Sequence, residues 1–482
     1  MAEIDTPPPE VLVPGKAGRA AGRLLRVEVP RSSHSMHPAD TNPKRDVVAM
    51  LEASCKGRIA QLLPLRWSRM STSVFAFFRG TADIQAHDLA ATPVSGIRCQ
   101  ISGDCHMMNF GIFATPERDH IFGPNDFDET IVGPWEWDLK RLTASVMVAA
   151  RFKGYRESDG IAAVRACVAS YRARILAYSQ MHVLHIWHSR IRVADLLEKE
   201  LIGDVRTRAA ALVAKARNRT HDQVFEKLVK RDAASRWRFV DDPPRIFHHG
   251  EDEPFRAKVQ EVFEQYVDTI EDDRRHLFDR FRLADFAVKA VGVGSVGRHC
   301  VMALMMSDDG QPLVIQIKEA AQSVLEPYVG KSVYEHPGQR VVAGQRLMQA
   351  SSDMFLGWAA DAQGRYYYLR QMQDMKGSVD IETMVPGGFN AYVRLCAWAL
   401  ARAHSKAGAA AEIAGYVGKG ETLDDALGLY AVAYADQAER DFARFQAAIA
   451  SGRFKAQAAI PPAKPAPARA TPPAAVAAGA AT

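Results

Sequence analysis

The sequence predicts an α/β (α+β) protein, with a β-rich part set between helix-rich segments, and three observations carry that expectation. Between residues 156 and 282, apolar residues recur at helical spacing, as in "IAAVRACVASYRARILAY" and "AKVQEVFEQYVDTIEDDRRHLFDRF". Between 283 and 378 the pattern changes: "FAVKAVGVG", "HCVMALMM", "PLVIQIKEA" and "RYYYLRQM" read as strands separated by Gly, Asp and Gln turns. From Phe389 to Ile449, Ala-rich apolar faces return at helical spacing. The chain divides accordingly into an arm (1–44), a helix-rich segment (45–282), a β-rich lobe (283–378), helices completing the helical lobe (379–455) and a tail (456–482).

Taken in order, residues 1–44 are rich in Pro, Arg, Gly and Ser without a sustained period and read as a disordered arm. A helix is expected from Asp46 to Leu63. The run "DVRTRAAALVAKARNRTHDQVFEKLVKRD" is basic but lacks an aromatic stacking platform, so it reads as a solvated helix face and does not point to nucleic acid. Residues 456–482, almost all Ala and Pro, can bury little and read as a disordered tail. With 482 residues, 48% hydrophobic and 24% charged, the chain can build a substantial core. Its net charge of +5 implies neither a membrane nor a nucleic-acid partner. Cys55, Cys99, Cys105, Cys167, Cys300 and Cys396 form no CxxC pair, which suits free thiols in a reducing compartment. No apolar run of about 18 residues is present to span a bilayer. The N-terminus lacks the apolar stretch of a secretory signal, so a cytoplasmic protein is expected.

Chemistry concentrates in "GDCHMMNFG", Gly103 to Gly111, and "NDFDE", Asn125 to Glu129. Carboxylates set among Met, Phe and Ile are costly to desolvate unless a cation, a metal or a hydrogen-bond donor offsets the loss. Asp104 and Asn109 have the spacing at which, in kinase catalytic loops, an Asp takes a substrate hydroxyl proton and an Asn ligates Mg²⁺. The stretch "FGIFATPERDHIFGP" reads as a β-hairpin that returns Asp126 beside Asn109, where a carboxylate and an amide oxygen could share a hard cation. A hydrogen-bonded Asx-turn cluster is the plainer alternative, with Asp128 or Glu129 as a capping residue. "GPWEWDLKRLTASVMVAAR" opens a helix with Asp138 near its start, where a carboxylate favours free backbone N–H groups. His106 reads first as a brace for the loop and second as a base or metal ligand. Arg79, in "FAFFRG", follows an aromatic run typical of a core; phosphate binding is the alternative. Trp135 and Trp137 read as packing residues, and Tyr366 to Tyr368 as a strand.

This block resembles the aminoglycoside-phosphotransferase branch of the protein-kinase-like superfamily. That branch carries a G-D-x-H-x-x-N loop, a hairpin, an I-D-x-[DE] metal motif and a later D-L-A at a helix start. The matching positions are Asp104, His106, Asn109, Asp126, Asp128 and Asp138, while Ser102 stands where the pattern has His. "GVGSVG", with Gly292, Gly294, Ser295 and Gly297, fits a glycine-rich phosphate loop between two strands, and Lys318 lies on the third strand, where kinases place their phosphate-pairing Lys. The helix "GQRVVAGQRLMQA" has no acid to pair with Lys318, which leaves Glu326 and Glu335 as candidates. Gln371 and Gln373 fall where a hinge would meet adenine. The glycine loop follows the catalytic loop here, and "WALARAHSKAG", resembling the helix that normally precedes that loop, lies near the C-terminus. The resemblance implies a two-lobed, circularly permuted kinase-like fold, with a β-rich nucleotide lobe and a larger helical lobe, which accounts for this order because permutation changes connectivity while packing persists.

The full set of motifs also resembles a bacterial family of unknown function, DUF2252. What the kinase resemblance implies is a phosphotransferase using ATP and Mg²⁺ on a hydroxyl acceptor, a small molecule or a protein. Asn109, Asp126 and Asp128 would hold the metal, and Asp104 would orient the acceptor. The alternatives are a non-catalytic nucleotide-binding regulator and a metal-dependent hydrolase built on Asp104, His106, Asp126 and Asp128.

Overall fold

The computed structural model describes residues 15–37, 45–217, 221–248, 253–372, 375–377 and 379–457. Strand β1 (Arg98–Ile101) leads into the Gly103–Gly111 loop, β2 (Phe110–Ala114) and β3 (His120–Pro124) form the expected antiparallel hairpin, and β4 (Ile131–Pro134) returns antiparallel to β1. These two pairings bring the loop after β1 and the loop after β3 side by side. Helix Trp135–Phe152 follows at once, with Trp135 and Trp137 buried in the main helical core. Helices Glu157–Tyr178, Pro386–Lys406, Ala410–Val417 and Thr422–Ala450 contribute to that same core, so the C-terminal helices join the helix that follows the motif.

A short hairpin, β5 (Val229–Arg231) and β6 (Trp237–Phe239), precedes a six-stranded antiparallel sheet. Its members are β7 (Ile246–Phe247), β8 (Phe281–Lys289), β9 (Cys300–Ser307), β10 (Pro312–Ala320), β11 (Gly357–Ala360) and β12 (Tyr366–Gln371), in spatial order β11-β12-β10-β9-β8-β7. Alternation sorts their side chains between two faces. Val301, Ala303, Met305, Leu313, Ile315, Ile317, Tyr367 and Leu369 join Val259, Val262, Phe263 and Tyr266 of helix Glu253–Tyr266 in one core. The opposite face carries Gln316, Lys318, Tyr368 and Arg370, with Gln316 directly across from Arg370 and Lys318 across from Tyr368. Residues Val229, Phe239 and Ile246 pack on that second face beside Met302, Leu304 and Val314. The described parts of 225–248 and 259–278, which the sequence groups with the helical lobe, therefore contribute to the cores on the two faces of the sheet. Their helical period is real, and the face it buries belongs to the sheet.

Two further expectations change. The single helix over Asp46–Leu63 is two helices, Val47–Ala53 and Leu63–Met70. Asp46 caps the first through the N–H groups of Val48 and Ala49, and Gly57, at φ +79°, lies in the turn between them. The structureless arm expected over 1–44 does not hold for residues 15–37, which form helix Lys16–Leu24 and a 3₁₀ turn, Arg31–Ser35. Glycines permit this docking, because a Cβ on Gly22 would lie 1.9 Å from the carbonyl oxygen of Glu412, and one on Gly415 would lie 2.3 Å from that of Arg19. Arg26 and Arg31 then donate to carbonyls at the end of helix Ala410–Val417, where the helix dipole favours cations. The tail from residue 458 onward lies outside the described residues, among which no helix is long and apolar enough to cross a membrane.

The arm carries a pH dependence. His34 is fully buried with Nε2 2.7 Å from the Tyr416 hydroxyl. Burial, aided by the Lys140 ammonium, pushes its imidazole down to about 3. The docked value lies below the undocked one of about 6.5, so the undocked arm binds more protons as pH falls. Docking is fully stable above about pH 6.5 and loses on the order of 2 kcal/mol by pH 5. Amide exchange in Lys16–Leu24, corrected for its intrinsic pH dependence, is expected to accelerate between pH 7 and 5, and a His34→Gln variant to lose that acceleration. A flat profile in the unaltered protein would show that His34 does not control docking.

Candidate functional site

The loop after β1 is held from beneath. Asp138 lies in the first turn of its helix, as expected; fully buried, it accepts the backbone N–H groups of Ser102 at 2.7 Å and Gly103 at 2.9 Å. His404, from the distant "LARAHSKAG" helix, completes the brace with Nε2 3.2 Å from Asp138, and its Nδ1 is 2.8 Å from the Tyr171 hydroxyl. A carboxylate receiving two amides fixes the loop's backbone without reaching its open side.

On that open side, Asp104 Oδ1 accepts from Arg141, whose Nε stands at 2.9 Å. Arg141 also donates to Gln85 and to the carbonyl of Phe78, so the guanidinium is locked in place. Burial pushes the Asp104 carboxyl up to about 6, against the pull of Arg141 and with the help of the Asp126 and Glu129 charges. His106 is buried, its Nδ1 accepts from the Met108 N–H, and its Nε2 is 3.9 Å from Asp104. Burial, with Arg141 and Arg79 nearby, pushes the imidazole well down and keeps it neutral, as a loop brace requires. Asn109 Nδ2 donates to the Asp104 carbonyl at 2.8 Å, which leaves Oδ1 as its free acceptor. The backbone N–H of Asn125 donates to the Asn109 carbonyl at 3.0 Å, so the hairpin returns Asp126 beside Asn109.

The sheet reaches the same place from the other side. Lys318 Nζ is 2.5 Å from Asp128 Oδ2 and 3.9 Å from Asp126 Oδ1. Asp128 also accepts from the Tyr368 hydroxyl at 2.8 Å. Burial works against the Asp128 charge, but the Lys318 ammonium and the Tyr368 hydroxyl hold its carboxyl below the usual range. Lys318 is in turn held well up by Asp126 and Asp128 despite its burial. Its partner is therefore neither Glu326 nor Glu335. Helix Pro337–Met348 supplies Arg340, which donates to the carbonyls of Asp128, Thr130 and Ala321 and fixes the acidic loop to the sheet.

The "GVGSVG" turn between β8 and β9 is tied down through its carbonyls. Arg69 donates to Gly292, Arg58 to Gly294 and Val296, and the Ile59 N–H to Gly297. Gly292 and Gly297 have φ of +66° and +90°, so both positions need glycine. Ser295 Oγ lies 3.4 Å from Asp128.

Two cavities meet at Asp126 and Ser295. The larger, about 520 Å³, is lined by Asn109, Gly292, Lys318, Arg370, Gln371 and Lys376 among others. The smaller, about 120 Å³, includes Asp104, Asp128, Gly294 and Arg79. Gly297 lines neither, and the N–H of Gln371 donates to Asp353. Gln373 lies outside the described residues. The sequence reading missed Arg141, Arg340, Tyr368 and Arg370, whose local surroundings are those of ordinary helix or strand residues.

A family model described as "Uncharacterized protein conserved in bacteria (DUF2252)" matches residues 58–448, a span holding every residue of this site. Comparison with curated proteins and with solved structures finds no match. The expected family is the right one: this chain belongs to the DUF2252 family of bacterial proteins.

Proposed function

We propose that the chain is an ATP- and Mg²⁺-dependent phosphotransferase of permuted kinase-like architecture, acting on a hydroxyl acceptor. One observation carries the reading. Lys318, on the third strand of a meander whose first turn is the glycine loop, shares a cleft with Asn109 and Asp126, and Asp104 stands next to it. The larger cavity has room for a nucleotide, with Gly292 and Ser295 over its phosphates and Lys318 and Arg370 against them.

The donor set suits magnesium in the mode it favours, one or two protein oxygens with the remainder from phosphates and water. Asp126, its side chain 35% exposed, and the free Oδ1 of Asn109 are the groups that would hold it. Asp128 is committed to Lys318 and Tyr368. When bound, Mg²⁺ would neutralise charge on the phosphates. Asp104 orients the acceptor hydroxyl and receives its proton. That oxygen forms the new bond to the terminal phosphorus while the bond to the bridging oxygen breaks and ADP leaves with the electron pair.

Thermal-shift titration with ATP, with and without Mg²⁺, followed by product analysis, tests the reading. Mg²⁺–ATP is expected to stabilise the protein by about 2.7 kcal/mol at roughly a hundredfold excess over Kd. Asp126→Ala should remove the Mg²⁺-dependent part, since one anionic ligand is lost. An unchanged Mg²⁺–ATP response in that variant would refute the metal assignment. Binding without turnover across a broad acceptor screen would favour the regulator.

A further inference from the structure

The smaller cavity is lined by four arginines, Arg58, Arg66, Arg79 and Arg298. None of them lies within ion-pair distance of a carboxylate among the described residues. The acids on the facing wall have partners of their own: Asp104 has Arg141, Asp128 has Lys318, Glu129 accepts the N–H of Val324 at 2.7 Å, and Asp126 stands 3.9 Å from Lys318. Asp83, beside the arginines, accepts the N–H of Ile84.

The arginines are held short of satisfaction. Arg66 is 1% exposed, donates to Ser54 and Cys55, and keeps a buried Nε with no partner. The Nε of Arg79 is likewise buried and unpartnered. Arg58 spends its donors on the carbonyls of Ser54, Gly294 and Val296, which ties the glycine loop to this wall. Burial pushes the Arg58, Arg66 and Arg79 guanidiniums down, and the charges of Asp83 on the first two and of Asp104 on the third offset this only in part, so each is a desolvated cation that a bound anion would relieve further. A guanidinium fork matches a phosphate or carboxylate in two parallel hydrogen bonds. At about 120 Å³ the space suits one such group and excludes a nucleotide base.

We propose that this cavity is the acceptor subsite, and that the acceptor bears a phosphate or carboxylate which Arg66, Arg79 and Arg298 bind while its hydroxyl meets Asp104. The inference rests on the phosphotransferase reading and narrows its substrate class to anionic hydroxyl compounds, such as sugar phosphates and hydroxycarboxylic acids. The other source of the same chemistry is the nucleotide's own terminal phosphate, and the test separates the two.

Inorganic phosphate is titrated into the full chain by calorimetry, alone and with Mg²⁺ and a saturating non-hydrolysable ATP analogue. Binding is expected in both states. It should weaken at least tenfold in Arg79→Met and in Arg298→Met, with affinity for the analogue retained. Because Arg66 is buried, these two replacements provide the test without depending on its folding role. Displacement of phosphate by the analogue would assign the arginines to the nucleotide and overturn the acceptor subsite. Phosphate binding that is absent from the unaltered protein, or as tight in both variants as in it, would overturn it as well. Phosphate binding without any analogue binding would remove the phosphotransferase reading instead, and the acceptor role with it. With ATP as donor, sugar phosphates and hydroxy acids should turn over at least tenfold faster than their neutral counterparts, and equal rates would count against the proposal.

Discussion

Replacing Asp104 with Asn is expected to lower turnover by about 10²-fold or more, the scale of losing a general base, while nucleotide affinity stays within a factor of a few. The substitution keeps the shape of the side chain. Its Oδ1 can still accept from Arg141, and Arg141 stays anchored on Gln85 and Phe78, so the loop's support is preserved. What disappears is the capacity to take a proton. Asp104 lines the smaller cavity and not the larger one, which separates the two effects spatially. Release of ADP under single-turnover conditions, measured beside calorimetric titration of Mg²⁺–ATP, reads both quantities. Equal, measurable turnover in the variant would strip Asp104 of the base role, nucleotide binding without turnover in either protein would move the chain to the non-catalytic reading, and a parallel loss of affinity would place Asp104 on the nucleotide.

Legibility in this sequence follows range. The Asp104–Asn109 spacing, the hairpin that returns Asp126, and β10 with its ends at Pro312 and Ala320 are set by local spacing and alternation, and the structure reproduces them. The pairing of Lys318 with Asp128 joins positions 190 residues apart, and no local signal marks it. Sequence reasoning sought a helical acid for Lys318; the acid comes from the adjacent loop, and the helix contributes Arg340 to hold that loop in place.

The N-terminal arm was illegible for a different reason. "GKAGRAAGRLLR" is compositionally a linker, and its helix gains stability only by close backbone packing against Gly415. A signal was present in Gly15, Gly18 and Gly22, small residues three and four apart that form one stripe on a helix. The helix Glu253–Tyr266, which the sequence groups with the helical segment, poses a similar problem. Periodicity shows that Val259, Val262, Phe263 and Tyr266 bury a helix face, and it is silent on whether a helix or a sheet receives that face.

The Lys318–Asp128 pair offers the sharpest separation of architecture from function. Lys318 is only 5% exposed, so Lys318→Met leaves the Asp128 carboxylate in a largely buried site with Tyr368 and Ser295 as its remaining donors. Breaking a buried pair from one side costs about 3–5 kcal/mol, because the surviving charge is uncompensated. A denaturant midpoint lowered to that extent is therefore expected. Adding Asp128→Asn removes the stranded charge and keeps an acceptor for the Tyr368 hydroxyl, so the double variant should recover most of the stability. If Lys318 exists only to neutralise Asp128, that double variant should behave as the unaltered protein in every respect. If its ammonium also meets phosphates, the double variant is stable and still binds Mg²⁺–ATP at least tenfold more weakly, the scale of one charge-assisted contact. Unfolding curves for the three proteins, with nucleotide titrations on the two stable ones, decide the matter. Full nucleotide affinity in the stable double variant would strip Lys318 of its phosphate role and leave the pair as a fastening between sheet and loop.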